Sequence, residues 1–183
     1  SWSRLLPNGL NMQVHGASIS PGGTIWVAAD SSMILNSTNS AQSWNPLIRD
    51  YVTRTDLYSV IFTDNNTGFA CGNSGVIIKT TNAGLNWTHT GLPISRNFRS
   101  VKFFNSNTGF VCGGDNGNTG VIYKTTDSGT SWSLIYQDSA SLYSIYFLNE
   151  TTGWASGNLG YVLKTTNSGN NWSSTRFQTF AIF

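Results

Sequence analysis

Apolar residues along this chain come in short bursts separated by small and polar residues at nearly regular intervals. One run reads LYSVIF (57–62), TGFACG (67–72), GVIIKTT (75–81) and NWTHTGL (86–92). Each burst is short enough for a strand and is bounded by Gly or Asn, and none shows the sustained 3.6-residue periodicity of a helix. The expected unit is four short antiparallel strands joined by tight turns.

The unit recurs. NSTNSAQSW, KTTNAGLNW, KTTDSGTSW and KTTNSGNNW end at Trp44, Trp87, Trp132 and Trp172, at spacings of 43, 45 and 40 residues. Eighteen residues before three of these stand Trp26, Phe69 and Trp154; Phe110 lies 22 before Trp132, which implies a four-residue insertion in the third copy. Ile19, Phe62, Phe103 and Phe147 mark an earlier apolar segment in each copy. Four strands in about 40 to 50 residues is the signature of a propeller blade. The expected fold class is therefore all-β: one β-propeller-type array of four-stranded antiparallel blades, with four complete repeats at about 10–50, 51–93, 94–138 and 139–183. Trp2 in WSRLLP parallels Trp87 in WTHTGLP, so residues 1–9 read as an extra N-terminal strand, the last of a preceding or partner blade. Three arrangements follow: part of a larger propeller, edges paired with another copy, or a closed four-bladed ring.

Composition narrows the function classes. Charged residues make up 10% of the 183, against about 25% in ordinary soluble proteins, and Gly, Asn, Ser and Thr supply the turns. Net charge is +2 with the six Arg and four Lys scattered, so nucleic acid is not an expected partner. No apolar run reaches the roughly 18 residues that span a bilayer, and the first residues lack a signal-peptide core, so a soluble or processed chain without membrane insertion is expected. Cys71 and Cys112 occupy equivalent positions in FACG and FVCG and read as buried free thiols.

Thr125, Asp127, Gly129 and Trp132 complete the pattern Ser/Thr-x-Asp-x-Gly-x-x-Trp. This pattern resembles the Asp-box, or bacterial neuraminidase repeat, of sialidases, sortilin-type receptors and some β-glucanases. The longer unit NTGFACGNSGVIIKTTNAGLNWT is similar to the repeats of the photosystem II stability/assembly factor family of propellers and their secreted bacterial relatives. The resemblance covers nearly the whole chain and implies the propeller fold; because such repeats serve several functions, it implies little chemistry. It also implies that the box lies away from the ligand face.

In physical terms the box is a hairpin between third and fourth strands. Asp127 accepts turn N–H bonds, Gly129 takes positive φ and Trp132 covers the turn. The other copies place Asn39, Asn82 and Asn167 at the acid and Ala41, Gly84 and Gly169 at the glycine, before Trp44, Trp87 and Trp172. One carboxylate at most per loop does not make a calcium site, so no metal or other cofactor is expected.

Ligands of propellers usually meet the face formed by the second-to-third strand loops and the blade connections. There the insertion projects Asp115 and Asn116, and the connections carry Arg49, Arg54 and Arg96. At the start of each first strand VHG, LYS, FRS and LYS superpose, with a variable middle residue: His15, Tyr58, Arg99 and Tyr143. This ring is the sharpest candidate for ligand binding, the ordinary alternative being inner-strand residues that pack between blades. Aromatics and amides suit a glycan or a polar peptide, and the arginines suit a carboxylate or phosphate.

Catalysis is not expected. Glycosidases need two positioned carboxyls, and of eight acids only Asp50, Asp115 and Asp138 fall near the expected face, without a motif. The lone Glu150 is badly placed for a sialidase, and His15 and His89 lack the partners of a zinc site. The expected function is a non-catalytic extracellular module that binds a glycan or protein through its loop face. The alternatives are a self-assembling oligomer or filament paired through terminal strand edges, and an assembly factor for a larger complex. Sequons at Asn36, Asn65, Asn86, Asn149 and Asn171 are compatible with N-glycosylation and a secreted, cell-surface, periplasmic or lumenal location.

Overall fold

A computed structural model describes residues 12–49 (46–49 as backbone only), 55–92, 94–115 and 119–177. The strand proposed for residues 1–9 lies outside the described residues. Among the described residues, sixteen strands form four sheets of four. The first blade contains β1 (Val14–Ile19), β2 (Ile25–Ala29), β3 (Met33–Ser37) and β4 (Asn45–Arg49); the second contains β5 (Leu57–Phe62), β6 (Gly68–Gly72), β7 (Ile77–Thr80) and β8 (Thr88–His89). The third contains β9 (Asn97–Phe103), β10 (Gly109–Asp115), β11 (Thr119–Thr125) and β12 (Ser133–Asp138). The fourth contains β13 (Leu142–Phe147), β14 (Gly153–Gly157), β15 (Tyr161–Thr165) and β16 (Ser173–Arg176). Every sheet is an antiparallel meander in chain order, the all-β propeller architecture of four-stranded blades. The box tryptophans immediately precede their fourth strands rather than beginning them, because each closes the hairpin turn before pairing resumes.

The first strands β1, β5, β9 and β13 lie successively side by side along the inner edge. Their close approach explains the small residues that follow the variable ring. A Cβ on Gly16 would come within 2.6 Å of the Tyr58 carbonyl oxygen. Ser59 Oγ accepts the Val101 N–H at 3.3 Å, and Ser100 Oγ accepts the Ile145 N–H at 3.4 Å.

Three blade-to-blade interfaces repeat one design. Trp26 stacks on Phe62 at 4.0 Å between ring centroids, Phe69 on Phe103 at 4.1 Å and Phe110 on Phe147 at 4.2 Å. The box tryptophans Trp87, Trp132 and Trp172 each meet the same phenylalanine edge-on at 6.0 Å. Beneath each stacked ring of the preceding blade lies a box glycine. Gly84, Gly129 and Gly169 have φ of 76°, 75° and 77°, and a Cβ on them would come within 2.5 to 2.7 Å of Trp26, Phe69 and Phe110. Lys79 Nζ donates to the Ser128 carbonyl at 2.6 Å and Lys124 Nζ to the Ser168 carbonyl at 2.8 Å, each passing over the aromatic ring. Burying one such aromatic contributes on the order of 4 to 6 kcal/mol of gross transfer energy.

Cys71 and Cys112 occupy equivalent places in these interfaces, buried and free. Burial pushes both thiols well above the ordinary range, which keeps them protonated and unreactive.

The box follows from its own side chains. Asp127 Oδ1 accepts the Ser131 N–H at 2.9 Å and the Thr125 hydroxyl at 2.8 Å, while Oδ2 accepts the Ser131 hydroxyl at 2.6 Å. Thr125 Oγ1 in turn accepts the Gly129 N–H at 2.9 Å. Asn39, Asn82 and Asn167 reproduce these acceptor roles. These bonds, the Ser131 hydroxyl and N–H first, hold the Asp127 carboxyl down at about 2.

Candidate functional site

The ring residues share a backbone feature. Pairing of β1 with β2 runs from Val14↔Ala29 to Gly16↔Ala28 and skips His15. Tyr58 is skipped between Leu57↔Gly72 and Ser59↔Cys71, and Tyr143 between Leu142↔Gly157 and Ser144↔Ser156. Arg99 falls between Phe98↔Gly113 and Ser100↔Cys112. All four are the extra residue of a β-bulge, the device that takes a side chain out of the pleat and re-aims it. Three bulges lean their backbone into the second strand. A Cβ on Gly72, Gly113 or Gly157 would run into the carbonyl of Asp56, Asn97 or Ser141.

The bulged side chains meet one another. The His15 ring stands edge-on to Tyr58 with centroids 5.1 Å apart, and the Arg99 guanidinium lies over the Tyr58 ring at 4.2 Å. His15 Nε2 is 2.6 Å from Asp30 Oδ1, and Asp30 Oδ2 accepts the Gln13 N–H at 3.0 Å. The Gln13 N–H first, and then His15, hold the Asp30 carboxyl below its ordinary range. Arg99 continues into a recess it lines with Gly114, Asp115, Ser141, Leu142 and Tyr143. The Tyr143 ring is exposed, and the Asp115 carbonyl accepts a bond from Ser141 Oγ.

Other candidates divide clearly. Arg96 Nη1 lies 3.1 Å from Asp115 Oδ2, an ion pair at the edge of the recess. Asp115 ends β10 opposite Thr119, so it is a strand terminus rather than a loop tip. Arg54 and Asn116 lie outside the described residues, as does the side chain of Arg49. Asp138 accepts the Tyr161 hydroxyl, then the Ser139 N–H and the Tyr136 hydroxyl, which depress its carboxyl and make it a tie between β12 and β15. Two residues not singled out by sequence contribute as well. Asp56 accepts the Ser31 N–H at 3.1 Å and an Asn73 amide hydrogen at 3.4 Å, and Ser141 lines the recess. The glycine that ends ACG, VCG and ASG (Gly72, Gly113 and Gly157) is the sequence signal for these bulges.

The sequon asparagines have structural duties of their own. Asn65 Oδ1 accepts the Gly22 N–H at 2.6 Å, Asn149 Oδ1 accepts the Thr151 and Thr152 N–H groups, and Asn36 bonds Asn45. Asn86 and Asn171 are exposed on box hairpins, where their N–H groups donate to Asn82 and Asn167. Among the described residues no cluster of three or more His, Cys, Asp or Glu forms a metal site, and no helix is long and apolar enough to cross a membrane.

The arrangement offers two tyrosine rings, a guanidinium, a histidine and several hydrogen-bond acceptors. Residues 80–179, from the second box to the end of the fourth blade, match the sequence pattern of the photosynthesis system II assembly factor YCF48 family. The chain belongs to that family. No curated protein sequence matches it. Among solved structures, YCF48 from Cyanidioschyzon merolae is 15% identical with a TM-score of 0.62, over 93% of this chain and 61% of that one. A structure of YCF48 bound to D1 peptide is 16% identical with a TM-score of 0.58, over 92% of this chain and 70% of that one. An inactive virginiamycin B lyase from Staphylococcus aureus with quinupristin is 14% identical with a TM-score of 0.77, over 94% of this chain and 58% of that one. This chain thus spans about 61% of the length of the Cyanidioschyzon YCF48. At these identities the structural likeness speaks for the shared propeller fold.

Proposed function

We propose that this YCF48-family chain is a non-catalytic, protein-binding module of the assembly-factor type, which holds an extended segment of a partner protein across its four bulged residues. The observation that carries this reading is the coincidence of variability and geometry. The positions that differ among otherwise similar repeats are the four bulges, and three of them, His15, Tyr58 and Arg99, pack in one row.

The size of the recess favours a polymer over a small molecule. It has room for only about 40 Å³, far below the roughly 300 to 1,000 Å³ of small-molecule sites. Such a recess admits one side chain of a peptide whose backbone runs along the row. Arg99, stacked on Tyr58, keeps its N–H edge for a carboxylate or carbonyl of that segment. Family membership and the D1 peptide bound by a relative support a peptide ligand. Because both free thiols are buried, they are compatible with an extracytoplasmic compartment, secreted or lumenal.

The test is binding of a D1 peptide, then of an array of overlapping peptides, to the wild type and to the Y58A/R99A/Y143A variant. The expected result is a loss of more than about tenfold in affinity, with the melting temperature shifted by only a few degrees. Equal binding by the variant, or an array on which the wild type retains nothing, would sink the reading.

A further inference from the structure

Among the described residues, the seam between the third and fourth blades holds a carboxylate that no cation meets. Asp138 closes β12 and Tyr161 opens β15, both at the loop-face end. The Tyr136 and Tyr161 hydroxyls both donate to Asp138 Oδ2, the first at 3.0 Å, and the two phenol oxygens stand 3.2 Å apart. Asp138 Oδ1 takes only the N–H of its neighbour Ser139, at 2.6 Å. Burial first, and then Tyr161 and Asp138, push the Tyr136 phenol well above its ordinary range and keep it protonated. All three residues are half-buried, so the cluster reaches the surface.

Other acids on that face already have their partners. Asp30 faces His15, Asp115 faces Arg96, and Asp56 holds the Ser31 N–H and an Asn73 amide hydrogen. Arg176, opposite Tyr161 in the ladder, gives its Nε–H to the Leu159 carbonyl at 3.3 Å instead of turning to Asp138. Nor does packing ask for a charge here. The seam between the second and third blades is lined by Leu92 and Ile94, half-buried against its core, and an apolar tie is commonly as stable as an ionic one.

The protons of the cluster are all committed inward. Each phenol gives its one hydrogen to the carboxylate, so a ligand meets acceptor lone pairs and a negative charge. The complement is a positive group that only donates, which among side chains means lysine or arginine. Ser139 and Ala140 lead from Asp138 to Ser141, which lines the Arg99 recess. That span is at most about 10 Å, the rise of about three residues of an extended chain.

Building on the peptide-binding reading, on which it rests, we infer that the Tyr136–Asp138–Tyr161 cluster is a second subsite, taking a lysine or arginine side chain of the bound segment about three residues from the one in the recess. Asp138 supplies the charge and the phenol oxygens supply further acceptors. The row sets where the segment lies, and the cluster selects a basic residue within it.

The experiment presents the overlapping-peptide array, and the same array with each Lys and Arg replaced by Gln, to the wild type, to D138N and to Y58A/R99A/Y143A. Retained peptides carry a basic residue whose replacement weakens binding about tenfold for the wild type and less than about twofold for D138N. Raising NaCl from about 50 to 300 mM weakens the wild type more than D138N. Equal losses in the two proteins, or retained peptides without a basic residue, overturn the subsite; the peptide reading then stands as long as the triple variant loses affinity. A wild type that retains nothing, or a triple variant that binds equally, sinks the reading and the subsite together. Y136F/Y161F covers the case in which D138N folds poorly, because it removes the tie and keeps the carboxylate. It must still prefer the basic peptides at least about threefold, and no preference with the carboxylate in place overturns the subsite.

Discussion

The outer faces of the first and last blades descend from the same repeat, yet they have become different surfaces. On the first, Val27, Ala29, Met33 and Leu35 are buried, and the two residues an interior interface demands have become Ile19 and Ala41. On the last, Trp154 and Lys164 keep the interior pattern, while Ser156 stands exposed where interior blades bury Ala28, Cys71 and Cys112. The difference shows which residues the repeat unit needs for itself and which a neighbour imposes. Box Asp or Asn, the paired Ser or Thr and the Trp occur in all four copies because they close their own hairpin. Among the described residues, phenylalanine and box glycine occur together in the three copies whose phenylalanine stacks on the blade before.

The largest expected effect contrasts Phe103 with Ile19. F103A removes a ring stacked on Phe69 and met edge-on by Trp132, and a loss of about 3 to 5 kcal/mol is expected from urea unfolding. I19A alters a residue that is 66% exposed and is expected to stay within about 0.5 kcal/mol of the wild type. Equal losses would mean that the end position is packed as tightly as the interior one.

A smaller effect contrasts the box glycines. G129A places a Cβ at φ 75° and within 2.5 Å of Phe69 Cε1, and a cost of about 1 to 3 kcal/mol is expected. A41G relieves an alanine held at φ 66° and is expected to leave stability unchanged or slightly raised. A thermal melt of both variants decides the point.

The smallest effect concerns charge. The Asp127 carboxyl titrates near 2 in the folded chain against an ordinary 3.8, so its stabilising contribution is complete above 3.8 and is lost as pH falls through about 2. D127N reproduces the first-blade box, where Asn39 Nδ2 donates to Ser43 Oγ at 2.8 Å in place of the serine-to-carboxylate bond. The variant is expected to unfold at nearly the same urea midpoint as the wild type at neutral pH. Acid titrations of the two should then run parallel above 3.8 and separate as pH falls through about 2, where only the wild type loses this contribution.

Tryptophan spacing and the turn residues made the blades legible in the sequence, because each hairpin is a local unit whose bonds lie within a few residues. The candidate row was legible only as variability at His15, Tyr58, Arg99 and Tyr143. That these residues are bulged is a matter of register between two strands, which no single strand encodes. The stacking of Arg99 on Tyr58 and the pairing of Arg96 with Asp115 join residues far apart in the chain or on different strands, so periodicity carried no trace of them. The end faces were hidden for a related reason: Ile19 and Ala41 look like ordinary drift until the interior shows what phenylalanine and glycine touch.

The bulges have one more consequence. A residue outside the register of its ladder can be exchanged without moving any strand hydrogen bond, so His, Tyr, Arg and Tyr occupy one place on a single scaffold. The row is in effect a display whose letters change while its frame stays fixed, and binding preference in such a protein can drift across generations at almost no cost to folding.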